Sequence, residues 1–149
     1  MSEVTLYLAD EQAMSDFGTR IARVTGGHGL IFLEGNLGMG KTTLSRGIIR
    51  GLGHVGAVKS PTFTLVQTYA LPIGTVHHFD LYRLDGPRDL AELGWDEARE
   101  DIVIVEWPDR LGALAPADAL RIALAPGETD DARVATLSGW DQRLRTLAA

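Results

Sequence analysis

Nine residues of the chain, "GNLGMGKTT" from 35 to 43, combine glycines with a lysine and two threonines. The spacing of Gly35, Gly40, Lys41 and Thr42 fits the phosphate-binding pattern G-x-x-x-x-G-K-[ST]. Glycines let the backbone curl and turn its N–H groups toward an anion. We expect Lys41 to reach nucleotide phosphates and Thr42 to offer its hydroxyl to Mg²⁺. The candidate nucleotide-binding residues of this stretch are Gly35, Gly38, Met39, Gly40, Lys41, Thr42 and Thr43.

The flanking segments distinguish a phosphate loop from a plain glycine turn with a solvated lysine. "GLIFLE" (29–34) is an apolar run of strand length, and "TTLSRGIIRGL" (42–52) carries apolar residues at helical spacing. Strand, loop and helix in this order are the context that the motif needs. A helix that begins near Lys41 also directs the positive end of its dipole at the phosphates. The context therefore favours the phosphate loop.

Two carboxylates occur where apolar strands are predicted to end. Glu106 closes "IVIVE" (102–106), and Asp80 lies in "HHFDLYRL" (77–84), where alternation places it on one face with His78 and Tyr82. A nucleotide site needs acids for its metal and for the attacking water. Either carboxylate could bind Mg²⁺, and Asp80 could instead orient water. The alternative for both is a purely structural role in a cap or an ion pair.

The segment "KSPTF" (59–63) follows the loop and its helix. A threonine in such a position can sense a γ-phosphate through Mg²⁺, as switch loops do. Thr62 is the first candidate and Ser60 the second, and the alternative is a plain proline turn. The candidate catalytic residues are thus Lys41, Asp80, Glu106 and Thr62, and the candidate metal ligands are Thr42, Glu106 and Asp80.

Two further features near these acids have simpler interpretations. His77 and His78 are adjacent on a predicted strand, so they point to opposite faces and cannot chelate one ion together. Trp107 directly follows Glu106 and should face the other way. It is expected in the core, with packing over the site as the alternative.

The elements that must position these residues predict an α/β fold. Apolar patterns indicate a strand at 4–9, a helix at 10–24 with Asp10 as N-cap, and a buried strand at 101–107. Strands at 64–71 and 75–84 form a predicted hairpin, 86–100 is a broken helical stretch, strands follow at 118–125 and 132–138, and a helix ends the chain. We expect one domain, residues 1–149. Its predicted fold is a P-loop NTPase-like mixed sheet with helices on both faces and antiparallel edge strands.

Composition narrows the function further. The net charge of −6 argues against a broad nucleic-acid-binding surface. The chain has no cysteine, which excludes disulfides, zinc–thiolate sites and cysteine nucleophiles. Its first residues resemble no signal peptide, and no apolar run approaches the ~20 residues of a membrane span. We therefore expect a cytoplasmic protein with no membrane partner.

Taken together, these segments resemble the TsaE family, also called YjeE. The resemblance runs through "LADEQA", "LEGNLGMGKTTLSRGIIRGLG", "VKSPTFTLVQTYAL", "HHFDLYRL" and "VEWPDRL". The phosphate loop is common to many ATPases, whereas "SPTFTL", "HFDLYRL" and "VEWP" in that order are specific to this family. Two positions depart from the usual family loop G-D-L-G-A-G-K-T, because Asn36 replaces the acid and Met39 the alanine.

The resemblance implies residue roles and partners that the residues alone do not. ATP or ADP binds at the loop, Thr42 and Glu106 bind Mg²⁺, Asp80 is needed for hydrolysis, and Glu11 lies near the nucleotide base. TsaE-like proteins are bacterial ATPases needed to make threonylcarbamoyladenosine at position 37 of tRNA. They act on the TsaB and TsaD proteins and meet tRNA only indirectly, through that complex. ATP hydrolysis resets the assembly between turnovers.

Two other functions are compatible with these residues. A small-molecule kinase would use the same loop, although we find no arginine-rich lid insert and the segments after Glu106 are short. A binding module with an inactive loop is disfavoured by the intact set of Lys41, Thr42, Asp80 and Glu106. Nothing in the sequence indicates an arginine finger beside the loop, since Arg46 and Arg50 lie along the following helix and Arg83 lies past Asp80.

Overall fold

The computed structural model describes residues 3–61, 64–85 and 87–148 of the 149. The strands of this part of the chain are β1 (Glu3–Leu8), β2 (Gly29–Glu34), β3 (Val66–Leu71), β4 (Gly74–Asp80), β5 (Ile102–Glu106), β6 (Leu120–Pro126) and β7 (Arg133–Ser138). Its α-helices are α1 (Glu11–Thr25), α2 (Lys41–Gly51), α3 (Trp95–Ala98) and α4 (Asp141–Ala148). Two 3₁₀ segments cover Pro87–Leu93 and Pro108–Leu114.

The strands pair into one sheet in the order β1-β7-β6-β2-β5-β4-β3. The central strands β6, β2, β5 and β4 are parallel, β3 pairs antiparallel with β4, and β7 pairs antiparallel with both β6 and β1. The predicted mixed sheet with antiparallel edge strands is confirmed. Because β2, β4 and β5 are parallel neighbours, the phosphate loop, Asp80 and Glu106 all lie at one edge of the sheet.

Helices cover both faces of the sheet, as predicted, but unequally. Ile31 and Leu33 face α1, α2 and α4, whereas Phe32 faces α3 and the 3₁₀ segments. The shorter cover on the second face follows from the sequence between β4 and β5. Gly94 there adopts a left-handed φ of 78°, which separates the first 3₁₀ segment from α3. The broken helical stretch predicted at 86–100 is thus confirmed over its described residues.

Glycines bring α1 and α2 into backbone contact. A Cβ at Gly47 would lie 2.6 Å from the backbone oxygen of Ser15, and a Cβ at Gly18 would lie 2.8 Å from the backbone of Gly47. The first turn of α1 is held by Asp10, whose Oδ1 accepts a 2.8 Å bond from the Ala13 N–H, as the predicted N-cap should. This packing fixes α2, and with it the phosphate loop, on the sheet.

The predicted hairpin exists, but its second strand is shorter than expected. The pattern predicted a strand to residue 84, whereas β4 ends at Asp80. Asp80 Oδ1 accepts a 3.1 Å bond from the Tyr82 N–H, which turns the chain away from the sheet. None of the described helices has the length and apolar character to cross a membrane.

Candidate active site

The loop between β2 and α2 depends on three glycines with positive φ, of 145° at Gly35, 84° at Gly38 and 99° at Gly40. A Cβ at Gly35 would also lie 2.8 Å from the backbone oxygen of Leu124. Helix α2 starts immediately after Gly40, and its first turn has no acidic residue and no side-chain cap. The N–H groups of this turn and the helix dipole therefore favour an anion in the loop.

Lys41 is buried inside the loop that it is predicted to serve, with 6% of its surface exposed. Its Nζ donates to the backbone oxygens of Gly35 and Asn36, and it lies 4.0 Å from the centre of the Trp107 ring. Burial lowers the pKa of Lys41 below its usual 10.5, and the charges of Glu106, Asp80 and Asp109 oppose that shift. The ammonium thus lies among carboxylates, in a position to meet phosphates.

Glu106 is the centre of a buried network that joins three elements. Its Oε1 accepts from the Thr42 hydroxyl at 3.3 Å, and its Oε2 accepts from the Ser45 hydroxyl at 3.3 Å and from Nε2 of His78 at 2.6 Å. The carboxyl side chain is 4% exposed. The hydroxyl and the carboxylate predicted to share a metal are therefore adjacent, and both are oxygen ligands of the kind that Mg²⁺ prefers.

Asp80 lies beside Glu106, because the two residues are direct partners in the β4–β5 register. It is 8% exposed. Together with Lys41, Thr42 and Glu106 it lines a cavity of ≈ 450 Å³ in front of the loop. The structure thus brings together four of the residues that the sequence singled out.

The family model described as "Threonylcarbamoyl adenosine biosynthesis protein TsaE" matches residues 8–135, which include the loop, Asp80 and Glu106. The chain belongs to the TsaE family. The sequence-based identification is thereby confirmed.

Relatives from three bacteria extend this match over most of the chain. The tRNA threonylcarbamoyladenosine biosynthesis protein TsaE of Haemophilus influenzae is 41% identical over 128 residues, covering 80% of this chain and 81% of that protein. The TsaE of Streptomyces coelicolor is 38% identical, covering 89% and 95%. The TsaE of a Nostoc species is 32% identical, covering 97% and 91%.

Among solved structures, that of Bacillus subtilis YdiB resembles this fold. The TM-score is 0.84, with 24% sequence identity, and the match covers 99% of this chain and 95% of that one. The predicted P-loop NTPase-like architecture is confirmed.

The two loop positions that depart from the usual TsaE pattern leave the loop intact. The Asn36 side chain is exposed, and its backbone oxygen accepts from Lys41 at 3.0 Å and from the Met39 N–H at 3.3 Å. The Met39 side chain is half-buried against the core. Both residues shape the loop through their backbone or their packing rather than through charge.

A second cavity, of ≈ 230 Å³, also borders the loop. It is lined by Asp10, Glu11, Met14, Gly38, Met39, Gly40, Thr43, Asp131 and Arg133. Glu11 lines this cavity and not the ≈ 450 Å³ cavity beside Asp80 and Glu106, whereas Thr43 lines both.

Two arginines, Arg133 and Arg83, lie close to the loop. Arg133, on β7, donates a 3.1 Å bond to the backbone oxygen of Gly38, and Arg83 lines the ≈ 450 Å³ cavity. The sequence carries no signal for Arg133, because 95 residues separate it from Gly38. Ser45 was also missed, although it lies one helical turn beyond Lys41 and donates to that residue's backbone oxygen at 2.9 Å.

Trp107 does not simply join the core on the face opposite Glu106. It adopts a left-handed φ of 64° just after β5 ends, which frees it from strand alternation. Its ring lies over Lys41 and 4.8 Å from the Tyr82 ring. Trp107 is also half-buried against the core on the face of Phe32, so both interpretations, core packing and packing over the site, hold in part. Thr62 lies outside the described residues, so its role stays a prediction.

Proposed function

We propose that this TsaE chain binds ATP or ADP with Mg²⁺, hydrolyses ATP, and serves tRNA threonylcarbamoyladenosine biosynthesis. The observation that carries the proposal is the 3.3 Å contact between Thr42 and Glu106 at the start of the loop helix. It joins a hydroxyl and a carboxylate across 64 residues of sequence, at a loop shaped for phosphate. Relatives 32–41% identical over most of the chain are proteins of this tRNA modification.

Phosphate binding falls to the loop and Lys41. The N–H groups of the first turn of α2 hold the phosphate oxygens, aided by the helix dipole. Lys41 Nζ exchanges its hydrogen bonds to the backbone oxygens of Gly35 and Asn36 for hydrogen bonds to phosphate. The new bonds are stronger because both partners are charged and the site is largely shielded from water. The phosphate charges also favour the ammonium form and so oppose the burial that lowers the pKa of Lys41.

The metal site follows from Thr42 and Glu106. When bound, Mg²⁺ neutralises charge on the β- and γ-phosphates. Thr42 Oγ1 and Glu106 Oε1 are the ligands that the chain offers, and Asp80 is the third candidate. Asp80 either binds the metal or orients the attacking water, because it lies beside Glu106 on the neighbouring strand.

The proposed partners are the TsaB and TsaD proteins, with tRNA met only through their complex. A net charge of −6 suits a subunit that does not grip tRNA by itself. The segment before Thr62 contains Gly53 and Gly56 at positive φ, with open space around both. A partner that orders this segment, and thereby lowers the activation free energy of hydrolysis by about 3 kcal/mol, would raise the hydrolysis rate roughly a hundredfold.

The test measures ATP turnover with and without the TsaB–TsaD pair, together with modification of the tRNA. The wild type should be slow alone and strongly stimulated by the pair, Thr62→Ala should lose most of the stimulation, and the exposed Thr64→Ala should keep it. A wild-type rate that the pair leaves unchanged would refute the coupling. Equal stimulation of Thr62→Ala would leave the coupling standing without this loop. ATP-dependent formation of a phosphorylated metabolite would instead support the kinase alternative.

A further inference from the structure

The most deeply buried histidine of the described chain has its polar contact with Glu106. His78 is 0% exposed, and its Nε2 lies 2.6 Å from Glu106 Oε2. The contact follows from register, since β4 and β5 align Asp80 with Glu106 and His78 lies two residues earlier on the same face. The imidazole therefore reaches diagonally across one strand pair to the carboxylate.

The direction of this bond follows from the chemistry of its atoms. An ionised carboxylate only accepts hydrogen bonds, so Nε2–H of His78 donates. Nδ1 is buried and has no hydrogen-bond partner among the described residues. A proton on Nδ1 would be buried without an acceptor, which favours the tautomer that carries its proton on Nε2.

His78 is also the principal donor to Oε2. The other donor, Ser45 Oγ, lies at 3.3 Å from Oε2 but at 2.9 Å from the backbone oxygen of Lys41. A hydroxyl has one proton, so Ser45 serves the nearer acceptor first. Glu106 therefore accepts a hydrogen bond from His78 at Oε2, while its Oε1 lies 3.3 Å from the Thr42 hydroxyl.

We infer that His78 is a positioning residue that fixes Glu106 so that Oε1, and not Oε2, is presented to Mg²⁺ beside Thr42. The inference rests on the proposed function. Outer groups that hold a metal ligand typically change metal affinity about 10–100-fold when they are removed. A histidine that merely filled the core would affect folding stability but not the dependence of nucleotide binding on Mg²⁺.

The experiment measures ADP affinity by calorimetry across a Mg²⁺ titration and again in EDTA, with a thermal melt for each variant. The variants are His78→Met, which removes the donor, His78→Gln, whose amide N–H can replace Nε2–H, and Ser45→Ala. We expect His78→Met to raise the Mg²⁺ midpoint about 10–100-fold while its ADP affinity in EDTA stays near wild type. His78→Gln should stay within about threefold of the wild-type midpoint, and Ser45→Ala should shift it less than His78→Met does.

The outcomes separate this inference from the proposed function. A wild-type ADP affinity that is independent of Mg²⁺ would overturn the metal site and the inference together. A wild type that depends on Mg²⁺, with Glu106→Gln abolishing the dependence and His78→Met leaving the midpoint unchanged, would overturn the inference alone. If His78→Met does not fold, the Mg²⁺ midpoints of His78→Gln and Ser45→Ala are compared instead. A larger shift for His78→Gln than for Ser45→Ala would count against the inference, and a smaller shift would support it.

Discussion

The guanidinium of Arg133 donates a 3.1 Å hydrogen bond to the backbone oxygen of Gly38, in the middle of the phosphate loop. The same side chain also donates to the backbone oxygens of Asp130 and Ala132, at 2.6 and 2.7 Å, so it is held by the turn between β6 and β7. The loop is therefore tied to β7 as well as to β2 and α2. An arginine distant in sequence helps to set the shape of the backbone that we propose binds phosphate.

Replacing Arg133 should weaken nucleotide binding without unfolding the chain. We expect Arg133→Ala to lower ADP affinity about 3–10-fold, because a hydrogen bond to a charged donor contributes about 1.5–3 kcal/mol and part of that restrains the loop. Titration of a fluorescent ADP analogue checks this, with the exposed Arg145→Ala as the matched control. An unchanged affinity would show that the bond to Gly38 does not shape the loop for nucleotide.

The pKa of Lys41 predicts how ADP affinity depends on pH. Burial lowers this pKa below 10.5, so the empty loop loses the lysine proton at a lower pH than a free lysine would. Bound phosphates favour the charged form and raise the pKa again. Binding therefore takes up a proton once the pH reaches the lowered pKa of the empty loop, and above that point affinity should fall with rising pH, by at most about tenfold per pH unit.

The measurement is ADP affinity in EDTA from pH 7.5 to 10, which avoids effects of metal hydroxide. Lys41→Arg is the control, because a guanidinium stays protonated throughout and its affinity should be nearly flat. Lys41→Ala should bind weakly at every pH, whereas the exposed Lys59→Ala should behave as the wild type does. A wild-type affinity that is constant to pH 10 would contradict the assignment of Lys41 to the phosphates.

Replacing either buried acid, Asp80 or Glu106, should impair ATP hydrolysis without unfolding the chain. Glu106→Gln and Asp80→Ala are expected to lose most ATP hydrolysis in the complex with TsaB and TsaD, since each removes a carboxylate assigned to metal or water. The hydrophobic core of both variants, which includes Phe79 and Val105, should stay intact. Circular dichroism checks folding, and phosphate release checks turnover.

Exposed acids provide the matched controls for this pair. Asp96→Asn and Glu100→Gln remove similar charges far from the loop and should hydrolyse ATP at the wild-type rate. Wild-type turnover by both Glu106→Gln and Asp80→Ala would show that the proposed site is wrong.

The contact between α1 and α2 makes Gly47 a test of packing. Alanine in place of glycine inside a helix usually stabilises it by about 1 kcal/mol. At Gly47 the added Cβ would lie 2.6 Å from the Ser15 oxygen, and separating the two backbones should cost more than that gain. We expect Gly47→Ala to be destabilised by about 1–3 kcal/mol in urea unfolding.

Gly27→Ala is the control, because its Cβ would meet only the Ile73 oxygen, at 3.4 Å. It should unfold close to the wild type. A Gly47→Ala variant as stable as the wild type would mean that α1 and α2 can move apart freely.

Local sequence determined the elements and the loop of this protein. The spacing of Gly35, Gly40, Lys41 and Thr42, the apolar runs of β2 and β5 and the alternation in β4 are short-range signals, and backbone sterics translate them directly into turns, strands and helices. The parallel core also followed, because continuous apolar strands must be buried on both faces. The acids at strand ends were found for the same reason, since parallel strands end at one edge of a sheet.

Tertiary structure alone decided which side chains meet across the sheet. Register set His78 behind Glu106, and the order of the strands brought Arg133 to Gly38 from the far end of the chain. Trp107 left the strand pattern at a positive φ, and β4 stopped at an aspartate turn that alternation could not reveal. These contacts depend on the pairing of elements distant in sequence, and a one-residue change of register would turn His78 to the other face.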